Sequence, residues 1–155
     1  MIFLPTLAAL VSTYQAFNRY ASEDIKRFEL TMTQFDLIAT LGNQPAMTFK
    51  ELGDKTLVTK GTLTGVVERL VAKGLLETRC NPDDARSQLV GLTMLGQSLF
   101  ESIFPNHVFH LEKAFAQLSE AELAQLTQLL LKLKQSLVAY RGERARQVLQ
   151  RQQPQ

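Results

Sequence analysis

From Leu4 onward, Leu7, Leu10, Val11, Tyr14, Phe17, Ile25 and Phe28 keep the three-and-four spacing of a helix with one broad apolar face. A long first helix is predicted. Thr31 with Gln34 three residues on has the form of a capping box, followed by Phe35, Leu37, Ile38 and Leu41 as an apolar stripe and Gly42 as the stop. Thr48 and Glu51 repeat the box and open a short third helix to about Lys55, after which Leu57 and Val58 make a turn. Thr59 then caps a fourth helix, with Leu63, Val66, Val67, Leu70 and Val71 on its buried side and Gly74 as its C-terminal stop. Two short helices across a short turn form a helix-turn-helix.

Residues 75–80 and 87–92 alternate as strands do around the turn-rich stretch 81–86, which predicts a two-stranded β-hairpin with a polar tip. Thr93 opens a fifth helix to about Phe104, where Pro105 is expected to bend or break the run before it resumes to Phe115. Ser119 and Glu122 make a third capping box, and Leu123, Leu126, Leu129, Leu130, Leu133, Leu137 and Val138 carry a sixth helix to near Tyr140. The stretch 141–155 has little to pack and is expected to fray. No repeat or linker interrupts the pattern, so the expectation is one mainly α domain.

Composition narrows the class. The 155 residues are 45% apolar and 21% charged, enough for one conventional core. The net charge of +2 neither demands nor excludes a polyanionic partner, so charge has to be read locally. A single cysteine, Cys80, rules out an intrachain disulfide and fits a reducing, cytoplasmic setting. The apolar opening 1–11 lacks a basic flank and reads as the start of a buried helix, and no run approaches the roughly 20 apolar residues needed to span a bilayer. No membrane partner is expected.

Lys60, Thr62, Thr64 and Arg69 fall opposite the Leu63/Val67/Leu70 stripe, where they face solvent on a helix that fits a DNA major groove. Gly61 and Gly65 each cost about 1 kcal/mol inside a helix. Close backbone approach to DNA or tight helix packing would offset that, and both readings stay open. Asp84, two residues before Arg86, can orient the guanidinium by a charge-assisted hydrogen bond, and an oriented arginine can enter a narrow minor groove. A solvated surface pair is the plain alternative.

Other constellations carry less. His107 and His110 could share a metal with Glu112 or Asp36, though a strong site would show its other ligands, and Cys80 beside Arg79 could sense oxidation, against the commoner reading of a strand cysteine as packing. No metal or other cofactor is therefore expected. Tyr14, Phe17 and Tyr20 with Phe100, Phe104 and Phe109 could line an effector pocket or form an interface core. A phosphate loop, a nucleophile elbow, spaced catalytic carboxylates and a His-Glu-x-x-His motif are all missing from the sequence, so no enzyme is expected.

Leu30-Thr31 with Gln34, Lys50-Glu51-Leu52, the run 59–64, Arg69-Leu70, Lys73-Gly74-Leu75, Arg79, Asp84-Ala85-Arg86 and Leu92-Thr93 follow in order. This succession resembles the MarR family of winged helix-turn-helix regulators over nearly the whole chain. The resemblance implies a single MarR-like domain over 1–155, with dimerisation helices at 1–29 and 94–148 and a DNA-binding lobe at 30–93. It further implies a homodimer on pseudo-palindromic duplex DNA, a repressor released by a small-molecule effector bound between those regions. Residues 59–73 would be the recognition helix and 80–86 the wing, with Arg86 entering the minor groove. The DNA-contacting set is then Thr59, Lys60, Gly61, Thr62, Thr64, Gly65, Arg69, Arg79, Asp84, Arg86 and Ser87, and the effector set Tyr14, Phe17 and Phe100. Gly65 stands where the family often has a basic or polar side chain, and the wing is short. A metal- or redox-sensing regulator of this fold, and a winged-helix protein-interaction module, are the alternatives.

Overall fold

A computed structural model describes residues 1–56 and 58–151, apart from the side chains of Lys60 and of residues 141–151. The elements run α1 (Leu4–Lys26), α2 (Met32–Leu41), β1 (Met47–Thr48), α3 (Phe49–Lys55), α4 (Lys60–Ala72), β2 (Leu76–Asn81), β3 (Asp84–Leu92), α5 (Met94–Phe115) and α6 (Glu120–Arg151). The chain divides into two compact units, Met1–Glu112 and Lys113–Gln155.

Local chemistry starts and stops the helices of the first unit. Thr31 and Gln34 close a reciprocal capping box on α2, and Thr48 and Glu51 close another on α3, so both helix starts have their orphan amides satisfied. The end of α4 is a Schellman closure: Gly74 adopts φ 70°, its amide donates to the Val71 carbonyl at 2.8 Å, and the Leu75 amide donates to the Leu70 carbonyl at 2.9 Å. Gly42 ends α2 for a different reason. Its φ is an ordinary −58°, but a Cβ there would lie 2.4 Å from the Phe100 ring.

The core gathers Ile25 of α1, Leu37, Ile38 and Leu41 of α2, Leu52 of α3, Leu63, Val66, Val67 and Leu70 of α4, Leu76 and Val90 of the strands and Ile103 of α5. Val71, expected on the buried side, is 38% exposed. It lies at the outer edge of the arc set by Leu63, Val67 and Leu70, where the core no longer covers it.

The sheet has three strands in the order β1-β3-β2, all antiparallel. The predicted hairpin is its β2–β3 half, and the sequence pattern missed β1, which pairs Met47 with Val90 and Thr48 with Leu89. The turn is narrower than expected. Pairing continues to Asn81 opposite Asp84 through an irregularity at Cys80/Asn81, leaving Pro82 and Asp83 at the tip and placing Arg86 on β3. Nor does Pro105 break α5, which runs through it.

In the second unit Ser119 and Glu122 form the expected box: the Glu122 amide donates to Ser119 Oγ and the Ser119 amide to the Glu122 carboxylate. Helix α6 continues past the expected end near Tyr140 to Arg151. Of the stretch 141–155, expected to fray, residues 141–151 are helical instead, and 152–155 lie outside the described residues.

Candidate nucleic-acid interface

Helices α3 and α4 meet across a turn, and burial of Leu63, Val67 and Leu70 commits the opposite side of α4 to solvent. Thr59, Gly61, Thr62, Thr64 and Arg69 are all exposed there. Lys60 begins α4, and its side chain lies outside the described residues. Thr59 is the N-cap residue but makes no cap hydrogen bond; its hydroxyl lies 3.0 Å from that of Thr62. The amides at the start of α4 are thus left without a side-chain cap, an arrangement suited to phosphate oxygens.

The two glycines can now be separated from packing. Among the described residues, a Cβ on Gly61 would meet nothing within 4 Å, and one on Gly65 only the Arg69 guanidinium at 4.0 Å. No tight packing against the described residues accounts for either glycine, and the α4 backbone is open to close approach at both.

The wing tip is tied by its own hydrogen bonds. Asn81 Nδ2 donates to Ser87 Oγ at 2.9 Å, the Asp83 amide donates to Asn81 Oδ1 at 3.1 Å, and Ser87 Oγ donates to the Asp84 carbonyl at 3.1 Å. The Asp84 carboxylate accepts from the Arg86 backbone amide at 3.0 Å. The expected bond to the Arg86 guanidinium is not formed. Two residues of separation on one strand bring the carboxylate to the main chain, so Asp84 sets the backbone from which an exposed Arg86 projects. Ser87 is spent on holding the tip. Arg79 lies further down β2 in a separate cleft of about 450 Å³ with Glu77, Thr93 and Gln97.

A second cleft, of about 440 Å³, adjoins the start of α4. Tyr14, Phe17 and Asn18 of α1 face Met32, Thr33 and Asp36 of α2 there, with Val58, Thr59 and Thr62 closing it. It takes in two of the three expected effector residues. The third, Phe100, is a core residue, buried against Gly42 and tilted on the Phe104 ring at 4.9 Å. Asn18, Met32, Thr33 and Val58 were missed because only the meeting of three separate elements makes them neighbours.

The rarer constellations resolve differently. Among the described residues no cluster of three or more His, Cys, Asp or Glu could hold a metal ion. His107 pairs with a carboxylate of another helix: its Nδ1 lies 2.9 Å from Asp24 Oδ2, both residues being buried. Arg27 takes the other Asp24 oxygen. Burial pushes the Asp24 carboxyl up, but the bond from His107 and the charges of Arg27 and the two histidines outweigh it and hold the group below its usual range. Cys80 is exposed on β2. Among the described residues no helix is long and apolar enough to cross a membrane.

Comparison with known proteins agrees with this geometry. Residues 30–88 match the MarR family model. The chain is 29% identical to the HTH-type transcriptional regulator MhqR of Bacillus subtilis over 127 residues, which are 82% of this chain and 88% of MhqR. The structure of Bordetella bronchiseptica BpsR, whose DNA binding is regulated by 6-hydroxynicotinic acid, superposes with a TM-score of 0.77 at 29% identity, over 86% of this chain and 96% of BpsR. Wild-type MarR of E. coli without ligand is 30% identical with a TM-score of 0.67, over 84% of this chain and 96% of its own. Its C80S mutant, complexed with operator DNA, gives a TM-score of 0.76 at 28% identity, over 84% of this chain and 94% of its own. With the helix-turn-helix, the wing and these relatives in agreement, the chain belongs to the MarR family.

Proposed function

We propose that the protein is a sequence-specific, DNA-binding transcription regulator, a repressor that acts as a homodimer and is released by a small molecule in the Tyr14–Thr62 cleft. The observation that carries the reading is the solvent face of α4, with its threonines, its arginine and two glycines backed by no packing, beside a hydrogen-bonded wing that projects Arg86. Thr62, Thr64, Arg69 and Lys60 would address the major groove, and Arg86 the minor groove. The operator-bound structure of E. coli MarR and the ligand-regulated DNA binding of BpsR support the two halves of this reading. Such a regulator works in the cytoplasm, and its role involves no catalytic step.

The partner implied for the exposed apolar faces is a second copy. On α1, Leu4, Leu7, Val11 and Tyr14 are about half exposed, and on α6 Leu129, Leu131, Leu137 and Val138 are more than half exposed. A single chain in water would leave an apolar surface of that extent wet. We assign dimerisation to 1–29 and 94–148 and DNA binding to 30–93, with the last turns of α1 serving both, since Ala21, Asp24 and Ile25 are buried. Light scattering at micromolar concentration is expected to give twice the 17.4 kDa chain mass; a monomer would exclude the dimer.

Selection from random duplex DNA tests the function itself. The expected product is a two-fold site with half-site centres about one helical turn, or a multiple of it, apart. Affinity for it should fall with salt at a log-log slope of about −0.9 per phosphate contact. Recovery of no preferred duplex, or binding indifferent to salt, would sink the reading.

A further inference from the structure

The joint between α1 and α5 departs from the apolar rule that governs the rest of the core. Asp24 and His107 are each 3% exposed and hydrogen-bonded to each other, and the His107 ring stands edge-on to Phe35 of α2 at 4.8 Å. One turn along α5, the His110 ring stacks on Tyr20 at 4.2 Å, and the Tyr20 hydroxyl donates to the His110 carbonyl at 2.8 Å. His110 Nε2 is buried without a hydrogen-bond partner among the described residues. The two imidazoles are 6.5 Å apart, and they are the chain's two histidines.

The carboxylate of this joint is already engaged on both oxygens. Asp24 contributes one negative charge, and its two oxygens are engaged by Arg27 and His107. Asp24, Arg27 and Tyr20 on α1 and the two histidines on α5 meet at this joint, with Phe35 of α2 against the His107 ring. A neutral His110 can leave Nε2 as a bare acceptor at modest cost. A protonated one must bury an N–H donor that meets no acceptor among the described residues. Histidine is the side chain that ordinarily changes charge between pH 5 and 8.

We propose that this cluster is a proton-sensitive latch: with His107 and His110 neutral it holds α1 on α5, and a proton on His110 Nε2 opens the joint and weakens DNA binding. The coupling rests on the DNA-binding reading above, since α1 and α5 are the helices assigned to join the dimer interface to the lobe. The sign is opposite to the generic one, because acid makes a protein more positive and ordinarily tightens its hold on DNA. It is also separable from Asp24 itself. A carboxyl held below its usual range stabilises the fold above that range and loses the contribution as pH falls through its own lowered value, well below the histidine window.

The test compares the full-length wild type with His110→Phe, which keeps a ring on Tyr20, and His110→Gln, which keeps a polar group. Affinity is measured for a duplex selected on this protein, at pH 8 and pH 6. Hydrogen exchange of α1 and α5 amides, corrected for intrinsic rates, is followed in parallel without DNA. The wild type is expected to lose about tenfold in affinity on acidification, with faster exchange at the joint. Both variants should change by less than about twofold while matching the wild type at pH 8. Wild-type affinity that holds or rises at pH 6, or variants that keep the full acid loss, would overturn the latch. Failure to recover any duplex would sink the DNA reading, and hydrogen exchange then decides the latch alone: joint exchange insensitive to pH in the wild type, or equally sensitive in the variants, overturns it.

Discussion

Gly96→Ala is expected to lower the thermal midpoint by roughly 10 °C, from an overpacking cost of about 3 kcal/mol. The alanine methyl would sit 2.0 Å from the Leu75 carbonyl oxygen and 3.0 Å from its carbon, so the obstacle is main chain. That carbonyl cannot easily give way. It accepts from the Thr93 amide at 3.1 Å, and Leu75 immediately follows the left-handed Gly74 that closes α4. Thr93 ties the other side, since its hydroxyl donates to the Gly74 carbonyl and accepts from the Gly96 amide at 3.0 Å. Relief of the clash would move the start of α5 off the end of α4, at the root of the wing. Circular dichroism melting decides it; a midpoint within about 2 °C of wild type would mean that the junction yields more cheaply than its hydrogen bonds imply.

Arg86→Ala is expected to cost the dimer about a hundredfold or more in operator affinity, because each half-site loses one contact worth about 1–3 kcal/mol. The loss should be larger on A·T-rich flanks, whose narrow minor groove concentrates negative potential. Asp84→Ala should reproduce a smaller part of it. The carboxylate holds the Arg86 amide, so its removal loosens the wing main chain without deleting the contact. Titration against flank variants of the selected duplex checks both. Equal losses for Arg86→Ala on A·T-rich and G·C-rich flanks would reduce Arg86 to a phosphate contact.

The parts of this fold legible in the sequence are those decided within four residues. The pairs Thr31/Gln34, Thr48/Glu51 and Ser119/Glu122 and the stop at Gly74 need no distant partner, and each forms where its residue types predict. The resemblance to MarR proteins supplied what local pattern could not, namely that a helix-turn-helix followed by a hairpin is a winged helix. What stayed hidden depends on residues far apart in the chain. A strand as short as Met47–Thr48 exists only because Val90 and Leu89 arrive beside it. Arg86 reads as loop by composition, yet pairing that persists to Asn81 and Asp84 draws it onto a strand. Asp24 breaks an apolar stripe and could have been flagged, but its partner is 83 positions away. Phe100 was aromatic and suitably placed for a pocket until Gly42 claimed its ring.

Thr59 and Thr62 line the cleft beside Tyr14 and Phe17 and also stand at the start of α4, the helix proposed to face DNA. That double membership matters to anyone who would retune the protein as a biosensor. If the cleft takes the inducer and α4 reads the operator, as proposed, libraries that vary Thr59 or Thr62 to admit a new inducer will change the promoter recognised at the same time, and the two phenotypes will not segregate. Asn18, Met32 and Thr33 line the same walls from α1 and α2. Diversity placed there can alter what the sensor detects while leaving its address on the genome alone.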